Sequence, residues 1–392
     1  MGEALQNSGA EVFRVEDTLN RIAIAYGAED VNVFVITSSI VVTLTMPSLP
    51  PQTETRRLRH AASNDLLTLE KLNALSRRIC TAPPSIEEFQ RQLNAILAQH
   101  PDPRLHLAGS VLAASSFAIF FGGNLWDGLL AGGIAVLICW MERYLSPFCM
   151  NGVEFQFIAS FLSGVSTLLL CRFGMQFHAD KVLIGIIMLL IPGIMLTNSI
   201  RDITWGHYFR LSSAGGSHSD GRHPCTRHNG RHLVDGRNFR MIQVFSQLLS
   251  AALGSVGFGL IFNLNRRYLP AAGVGGLLAW LAYLLAANTL HSVFLANLLA
   301  GFCAALYAEI LARCCNAPST PFFITAAIPL IPGSTLYYCM NAVVSNDLSA
   351  AEHFGEQTFL AALGIAGGMA IAWCLADLSR KLHALAIRSS GK

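Results

Sequence analysis

Apolar positions near the amino terminus follow two rhythms. Val12, Val15, Leu19, Ile22 and Tyr26 recur at steps of three and four, which puts them on one helix face. Gly27 then stops the helix, because glycine enters the left-handed region cheaply. Ser8-Gly9-Ala10-Glu11, just upstream, fits a capping box for its start. The β-branched runs 31–36 and 40–46, around Thr37-Ser38, predict a β-hairpin. Two further amphipathic helices are expected near 65–79 and 86–99, the second opened by another capping box, Ser85-Ile86-Glu87-Glu88, after Pro83-Pro84. Residues 1–104 therefore read as a small α/β domain, without a nucleophile elbow, phosphate loop or metal-ligand cluster.

Beyond residue 104 the periodicity gives way to long apolar runs broken by short polar loops. A spanning helix needs roughly 20 mainly apolar residues. Nine candidates lie near 105–122, 126–141, 155–172, 181–199, 241–263, 270–290, 293–312, 322–344 and 357–378. Gly128 and Gly132 make a small-xxx-small pair that would let two helices approach closely. Composition agrees: 53% of residues are hydrophobic and 13% charged, about half the charge of a soluble domain. The net charge of +3 argues against a nucleic-acid partner. Ten cysteines are scattered, several inside apolar runs, without a disulfide framework or a CxxC. Met1 to Glu16 read as an amphipathic helix start, not as a basic end leading into an apolar core, so targeting is expected from the spans themselves.

A repeat carries the most information. Leu190-Ile191-Pro192-Gly193 recurs as Leu330-Ile331-Pro332-Gly333, each inside an apolar run. Thr197, Asn198 and Arg201 follow the first copy; Ser334, Thr335 and Tyr337 follow the second. Phe161-Leu162-Ser163-Gly164 and Asn297-Leu298-Leu299-Ala300-Gly301 precede the two copies at a similar offset. Proline removes a helical hydrogen bond and clashes with the previous turn. In lipid the freed groups must find partners in protein or beside a wet cavity. Matched interruptions in two halves point to a transporter's binding site.

Residues 205–240 interrupt the pattern with five histidines and six arginines. A zinc site from His218, His223, Cys225 and His228 can be drawn there, but its spacing matches no ligand pattern, and no metal or cofactor is expected. Charge placement indicates that a span is missing. With ten spans and an inner amino terminus, Arg143, Arg201, Arg266, Arg267, Arg313 and the tail Arg380, Lys381, Arg388 and Lys392 all fall inside. Outer loops then keep Arg172 and Lys181. With nine spans everything after residue 240 would invert.

The run Gly9-Ala10-Glu11-Val12-Phe13-Arg14-Val15-Glu16-Asp17-Thr18-Leu19, then Tyr26-Gly27-Ala28-Glu29-Asp30-Val31, resembles the amino-terminal signature of the threonine/serine exporter family. Pro192-Gly193 with Asn198, Arg201 and Asp202 resembles that family's first membrane half, and residues 294–344, with Pro329, Pro332, Gly333, Ser334 and Tyr337, its second. In many relatives that half is a separate chain, and some such pairs are associated with dicarboxylate export. Relatives continue after the Arg-Asp with a Gly-Asp-Thr-Ile-Ser-Gly-like turn and an apolar fifth helix. Read one frame over, that turn can give Gly-His-Tyr-Phe-Arg, the residues at 206–210 here. The stretch 205–238 is thus read as frame-shifted, against the alternative of a natural polar insertion.

The resemblance implies an all-α polytopic membrane protein with a cytosolic α/β domain at 1–104, a first membrane repeat at 105–204, the polar segment at 205–240, a second repeat at 241–380 and a basic tail at 381–392. Its design is ten spans as two inverted five-helix repeats, the fifth disrupted, in the plasma membrane with both termini cytoplasmic. Its function is export of threonine and serine coupled to an ion gradient, protons foremost, with a dicarboxylate exporter as the alternative. A homo-oligomer stays open, as do a membrane-anchored enzyme acting through residues 1–104 and a non-transporting scaffold. Expected substrate contacts are Pro192, Gly193, Thr197, Asn198, Pro332, Gly333, Ser334 and Tyr337: broken helix ends offer N–H groups to a carboxylate and carbonyls to an ammonium. Arg201, Asp202 and Glu309 are candidates for coupling or gating, weighed against a topology role for the first two and an ion pair to Arg313 for Glu309. Arg14 and Glu16 serve either as a structural contact or in transport.

Overall fold

The computed structural model describes residues 1–36, 38–47, 49–58, 65–99, 101–149, 152–172, 177–190, 236–315 and 317–390. The chain opens with two helices, α1 (Gly2–Asn7) and α2 (Val12–Ala25). The residues expected to cap α2 instead close α1. Gly9 takes φ +86°, Ala10 N–H donates to the Leu5 carbonyl at 2.9 Å and Gly9 N–H to that of Gln6 at 3.1 Å, a Schellman closure. The Ser8 hydroxyl donates to the Ala4 carbonyl at 2.8 Å, and Glu11 is the N-cap of α2, with no side-chain cap. The expected capping box at 8–11 therefore does not form. Gly27, at φ +91°, ends α2 as expected.

The hairpin forms from β1 (Asp30–Ile36) and β2 (Ser39–Thr45), paired antiparallel from Asp30 opposite Thr45 to Ile36 opposite Ser39. A third strand, β3 (Gln52–Arg57), extends the meander, with Leu44 opposite Gln52. Helices α3 (Leu66–Thr81) and α4 (Ile86–Leu97) follow, capped by Asp65 and Ser85. Leu5, Val15, Val35, Ile40 and Leu69 form the core of this layer.

Among the described residues the remaining helices are α5 (Pro103–Phe120), α6 (Leu125–Tyr144), α7 (Gly152–Cys171), α8 (Ala179–Leu190), α9 (Gly236–Ile261), α10 (Leu269–Leu290), α11 (Val293–Cys315), α12 (Thr320–Ala327), α13 (Gly333–Val344) and α14 (Leu348–Ser390). Each expected apolar run but one lies along a single helix, the fourth as far as Leu190; the run 322–344 is divided between α12 and α13. Among the described residues six helices are long and apolar enough to cross a membrane, and seven spans result if α12 and α13, bent by 48°, count as one. Helix α5, which carries Arg104 and His106, and the described twelve residues of α8 fall short of that measure. Helix α9 reaches back to Gly236, so the end of the polar segment is helical.

Packing is inverted relative to a water-soluble bundle. Small residues such as Ala114, Ala135, Ala279, Ala304 and Ala308 are fully or almost fully buried, while Trp140, Phe157, Phe161, Leu285 and Phe359 are exposed. Small interior residues let helix backbones approach, and large outward side chains suit lipid. The long α14 crosses α11 through such a contact: a Cβ on Gly364 would sit 2.5 Å from the Phe294 carbonyl oxygen.

The amino-terminal layer docks on the membrane half through the α9–α10 and α11–α12 connections. Leu66 N–H donates to the Phe262 carbonyl at 2.9 Å, and the Asn263 amide donates to Asp65 at 2.9 Å. Arg267 pairs with Glu70 at 3.3 Å, and the Thr320 hydroxyl donates to Glu11 at 2.9 Å. Leu66, Leu69 and Leu72 share one buried cluster with Leu264, Tyr268 and Phe322. These two connections therefore lie at one end of the bundle, and the start of α5 lies there too, since a Cβ on Gly109 would sit 2.9 Å from Ile261 N at the end of α9.

Candidate functional site: a broken helix between the two halves

All eight residues of α12 are buried, as are Ile328, Pro329 and Leu330 of the 3-10 turn that follows. A helix with no outward face belongs at the centre of a bundle. It ends at the second Pro-Gly for a local reason. Ile331 is extended (φ −59°, ψ 126°), and Pro332 (φ −76°, ψ 54°) is the centre of an inverse γ-turn, in which Gly333 N–H donates to the Ile331 carbonyl at 2.7 Å. Helix α13 then starts in a new direction with no side-chain cap, its first residue Gly333 buried and Ser334 and Thr335 half-buried. The Thr335 hydroxyl donates back to the Pro332 carbonyl at 3.1 Å, and the Thr358 hydroxyl of α14 lies 2.8 Å from that of Thr335.

The break faces the first half of the chain. Ile328 and Ile331 share a cluster with Phe117 and Phe120 of α5, Met188 of α8 and Trp280 of α10. Phe120 meets Trp280 edge-on with ring centres 4.5 Å apart. Gly333 is pressed against the Met188 thioether, with no room for a Cβ. Helix α8 leads into the first Pro-Gly copy, so the approach to that copy packs against the second break. Farther along, Lys181 donates to the Tyr338 hydroxyl at 3.0 Å and pairs with Asp180 at 3.0 Å, and the Tyr338 hydroxyl donates to Asp180 at 3.3 Å. This polar cluster joins α8 to α13, and sequence reasoning missed it.

The expected site residues fall as follows. Pro332 and Gly333 form the break; Ser334 and Tyr337 are half-buried on α13, with Tyr337 edge-on to Tyr338 at 5.4 Å. Pro192, Gly193, Thr197, Asn198, Arg201 and Asp202, like the polar segment 205–235, lie outside the described residues. Glu309 is half-buried on α11, and among the described residues no ion pair joins it to Arg313. Glu16 accepts a hydrogen bond from Val35 N–H at 2.9 Å, which fastens α2 to β1. Arg14 lies 4.0 Å from Glu11, the residue that reaches Thr320 at the start of α12. The amino-terminal signature is thus built into the contact between the small domain and the broken helix.

Two further charged groups cluster in the first half. Asp127 is fully buried at the start of α6, where it accepts from Asn124 N–H and His178 N–H, both at 2.8 Å, and faces His178 Nδ1 at 2.9 Å. Both carboxylate oxygens are satisfied, as an end cap requires. At the opposite end of α5 and α6, His106, Cys139 and Glu142 converge.

These features define a multi-pass membrane protein whose buried central helix is broken. Residues 1–211 match the family model ThrE, described as "Putative threonine/serine exporter", and residues 247–375 match ThrE_2, described as "Threonine/Serine exporter, ThrE". The chain belongs to the threonine/serine exporter family and carries both halves in one polypeptide. No curated protein and no solved structure matches it.

Proposed function

We propose that the chain is built as a secondary exporter of small polar amino acids, threonine and serine foremost, in the plasma membrane with both termini cytoplasmic. The observation that carries this reading is the break at Ile331–Gly333: half-buried behind a fully buried helix, turned by 48°, and packed against helices of the first half of the chain. The uncapped start of α13 suits an amino acid's carboxylate, and the carbonyls at the end of α12 suit its ammonium. Ser334 and Tyr337 would add hydroxyls, and Pro192, Gly193, Thr197 and Asn198 the matching contacts from the first half. Arg201, Asp202 and Glu309 remain the candidates for coupling, with a proton as the coupling ion. The half-burial of Glu309 without an ion pair among the described residues supports its place there.

The intended architecture is ten spans in two inverted repeats, with 205–238 frame-shifted in place of the fifth. The family matches leave residues 212–246 uncovered between them, which takes in most of that stretch and supports that reading, while residues 205–211 lie inside the first match. The arginines of the segment would each cost several kcal/mol at the bilayer centre. We therefore expect the chain as written to export poorly, and the frame-restored chain to export well.

Counterflow in proteoliposomes tests the substrate. With the frame-restored chain, internal unlabelled threonine or serine should drive uptake of labelled threonine, and a dicarboxylate should not. Counterflow with the dicarboxylate alone would replace this reading with the alternative, and none with either solute would remove transport altogether.

A further inference from the structure

Helices α5 and α6 are locked in register by two glycines. A Cβ on Gly128 would sit 2.9 Å from Ile119 Cδ1, and one on Gly132 2.5 Å from the Ser115 hydroxyl. The helices run antiparallel, so this register brings the first turn of α5 opposite the last two turns of α6. His106 there meets Cys139 and Glu142, which lie three residues apart and share a helix face. Their ligand atoms all lie within 4.8 Å of one another, and His106 Nδ1 is 4.0 Å from Glu142 Oε2.

We propose that His106, Cys139 and Glu142 form a binding site for a zinc-class divalent ion at the bundle end where α5 begins. The donor set carries the choice of ion: imidazole with thiolate favours Zn2+, whereas Mg2+ and Ca2+ ask for oxygens alone. Three protein ligands leave the fourth tetrahedral position to water. Zinc bonds of about 2.0–2.3 Å put ligand atoms roughly 3.5 Å apart, so the site closes by about 1 Å when filled. His106 and Glu142, with side chains 31% and 52% exposed, have room to make that movement and give the ion a path from water. A plain histidine–carboxylate pair would account for His106 and Glu142, and Ser110 hydrogen-bonds the Cys139 thiol; what points to an ion is the convergence of all three ligand atoms within 4.8 Å. Coordination replaces the thiol proton: Zn2+ and the Cys139 thiol give a Zn–thiolate bond and one proton released to water, so affinity falls as pH falls. The ligands are separated by 33 residues and then three, a spacing that carries no motif.

The test is Co2+ titration of the purified full chain in detergent, followed by absorbance. The expected result is one Co2+ per chain, with a thiolate-to-cobalt charge-transfer band and the visible bands of a four-coordinate ion, all displaced by Zn2+. Cys139→Ser should abolish the charge-transfer band, and His106→Gln should weaken Co2+ binding at least tenfold. Cys374→Ser, a change at an exposed thiol elsewhere, should leave both unaltered. If Cys139→Ser does not give a monodisperse protein, His106→Gln at the half-exposed end of α5 decides. The absence of a charge-transfer band in the unaltered chain, or its persistence at full strength in either site variant, would overturn the proposal.

Discussion

Lys181 of α8 donates a hydrogen bond to the Tyr338 hydroxyl of α13 at 3.0 Å, across 157 residues of sequence. Among the described residues this contact and its partner Asp180 make a polar tie between the helix that approaches the first Pro-Gly copy and the helix that leaves the second. If the chain works as the secondary exporter proposed above, by alternating access, its two halves part at one end and then at the other, and a tie of this kind would act as a latch. Side chains that are a quarter to two-fifths exposed keep it weak, at about 1 kcal/mol. Tyr338→Phe should therefore shift the balance of open and closed forms by roughly fivefold. The check is the rate at which a cysteine at Met188 is modified by a water-soluble reagent; an unchanged rate would remove the latch.

The break itself should be required. Pro332→Ala restores a backbone N–H and lets the chain continue as a helix, which removes the inverse γ-turn. In the frame-restored chain, counterflow should fall at least tenfold at equal expression. Normal counterflow would show that the bend only shapes packing.

Helix crossing makes a sharper stability prediction. Gly364→Ala would drive a Cβ into the Phe294 carbonyl, a backbone atom that cannot swing aside, and should cost about 1–3 kcal/mol. Gly355→Ala, on the same helix, meets only the Cys339 sulfur at 3.5 Å and should instead stabilise by up to about 1 kcal/mol. Thermal unfolding in detergent should separate the two in sign.

The docking of the small domain can be measured as a coupling. The Glu11 carboxylate accepts from the Thr320 hydroxyl at 2.9 Å. A double-mutant cycle with Glu11→Ala and Thr320→Val should return about 1–2 kcal/mol. A cysteine at Asp65, which bonds to Asn263 in the α9–α10 connection, should be labelled only after cells are permeabilised. Labelling of intact cells would place the domain on the other side.

A pH effect follows from Asp347, which caps α14. The Ala350 N–H and then the Ser349 hydroxyl hold its carboxyl below the usual carboxylate range. A depressed folded value means that the stabilisation is fully present above the unfolded value and is lost as pH falls through the folded one. The melting difference between the parent chain and Asp347→Asn should hold at neutral pH and vanish only in strong acid.

Periodicity made the hairpin, α2, α3 and the apolar helices legible, because each buries one face or faces lipid, and α4 as well, whose Phe89, Leu93 and Ile96 are half-buried on one face. Strand β3 was not legible: Gln52-Thr53-Glu54-Thr55-Arg56-Arg57 is exposed throughout, and its only argument is pairing with β2. Ser8-Gly9-Ala10-Glu11 was legible as helix punctuation but not in its direction, since a serine three residues before a glutamate marks a start while the glycine between them marks a stop. Of the candidate site, the Pro-Gly break could be read because proline acts locally. Lys181 with Tyr338, and His106 with Cys139, could not, because only tertiary register brings them together.

The most direct test of the central claim compares labelled threonine counterflow in proteoliposomes for the chain as written and for the chain with its frame restored across 205–238, at equal amounts of inserted protein. The account predicts robust counterflow from the restored chain and little from the other. Equal counterflow from both would show residues 205–240 to be a working insertion, and none from either would contradict threonine export.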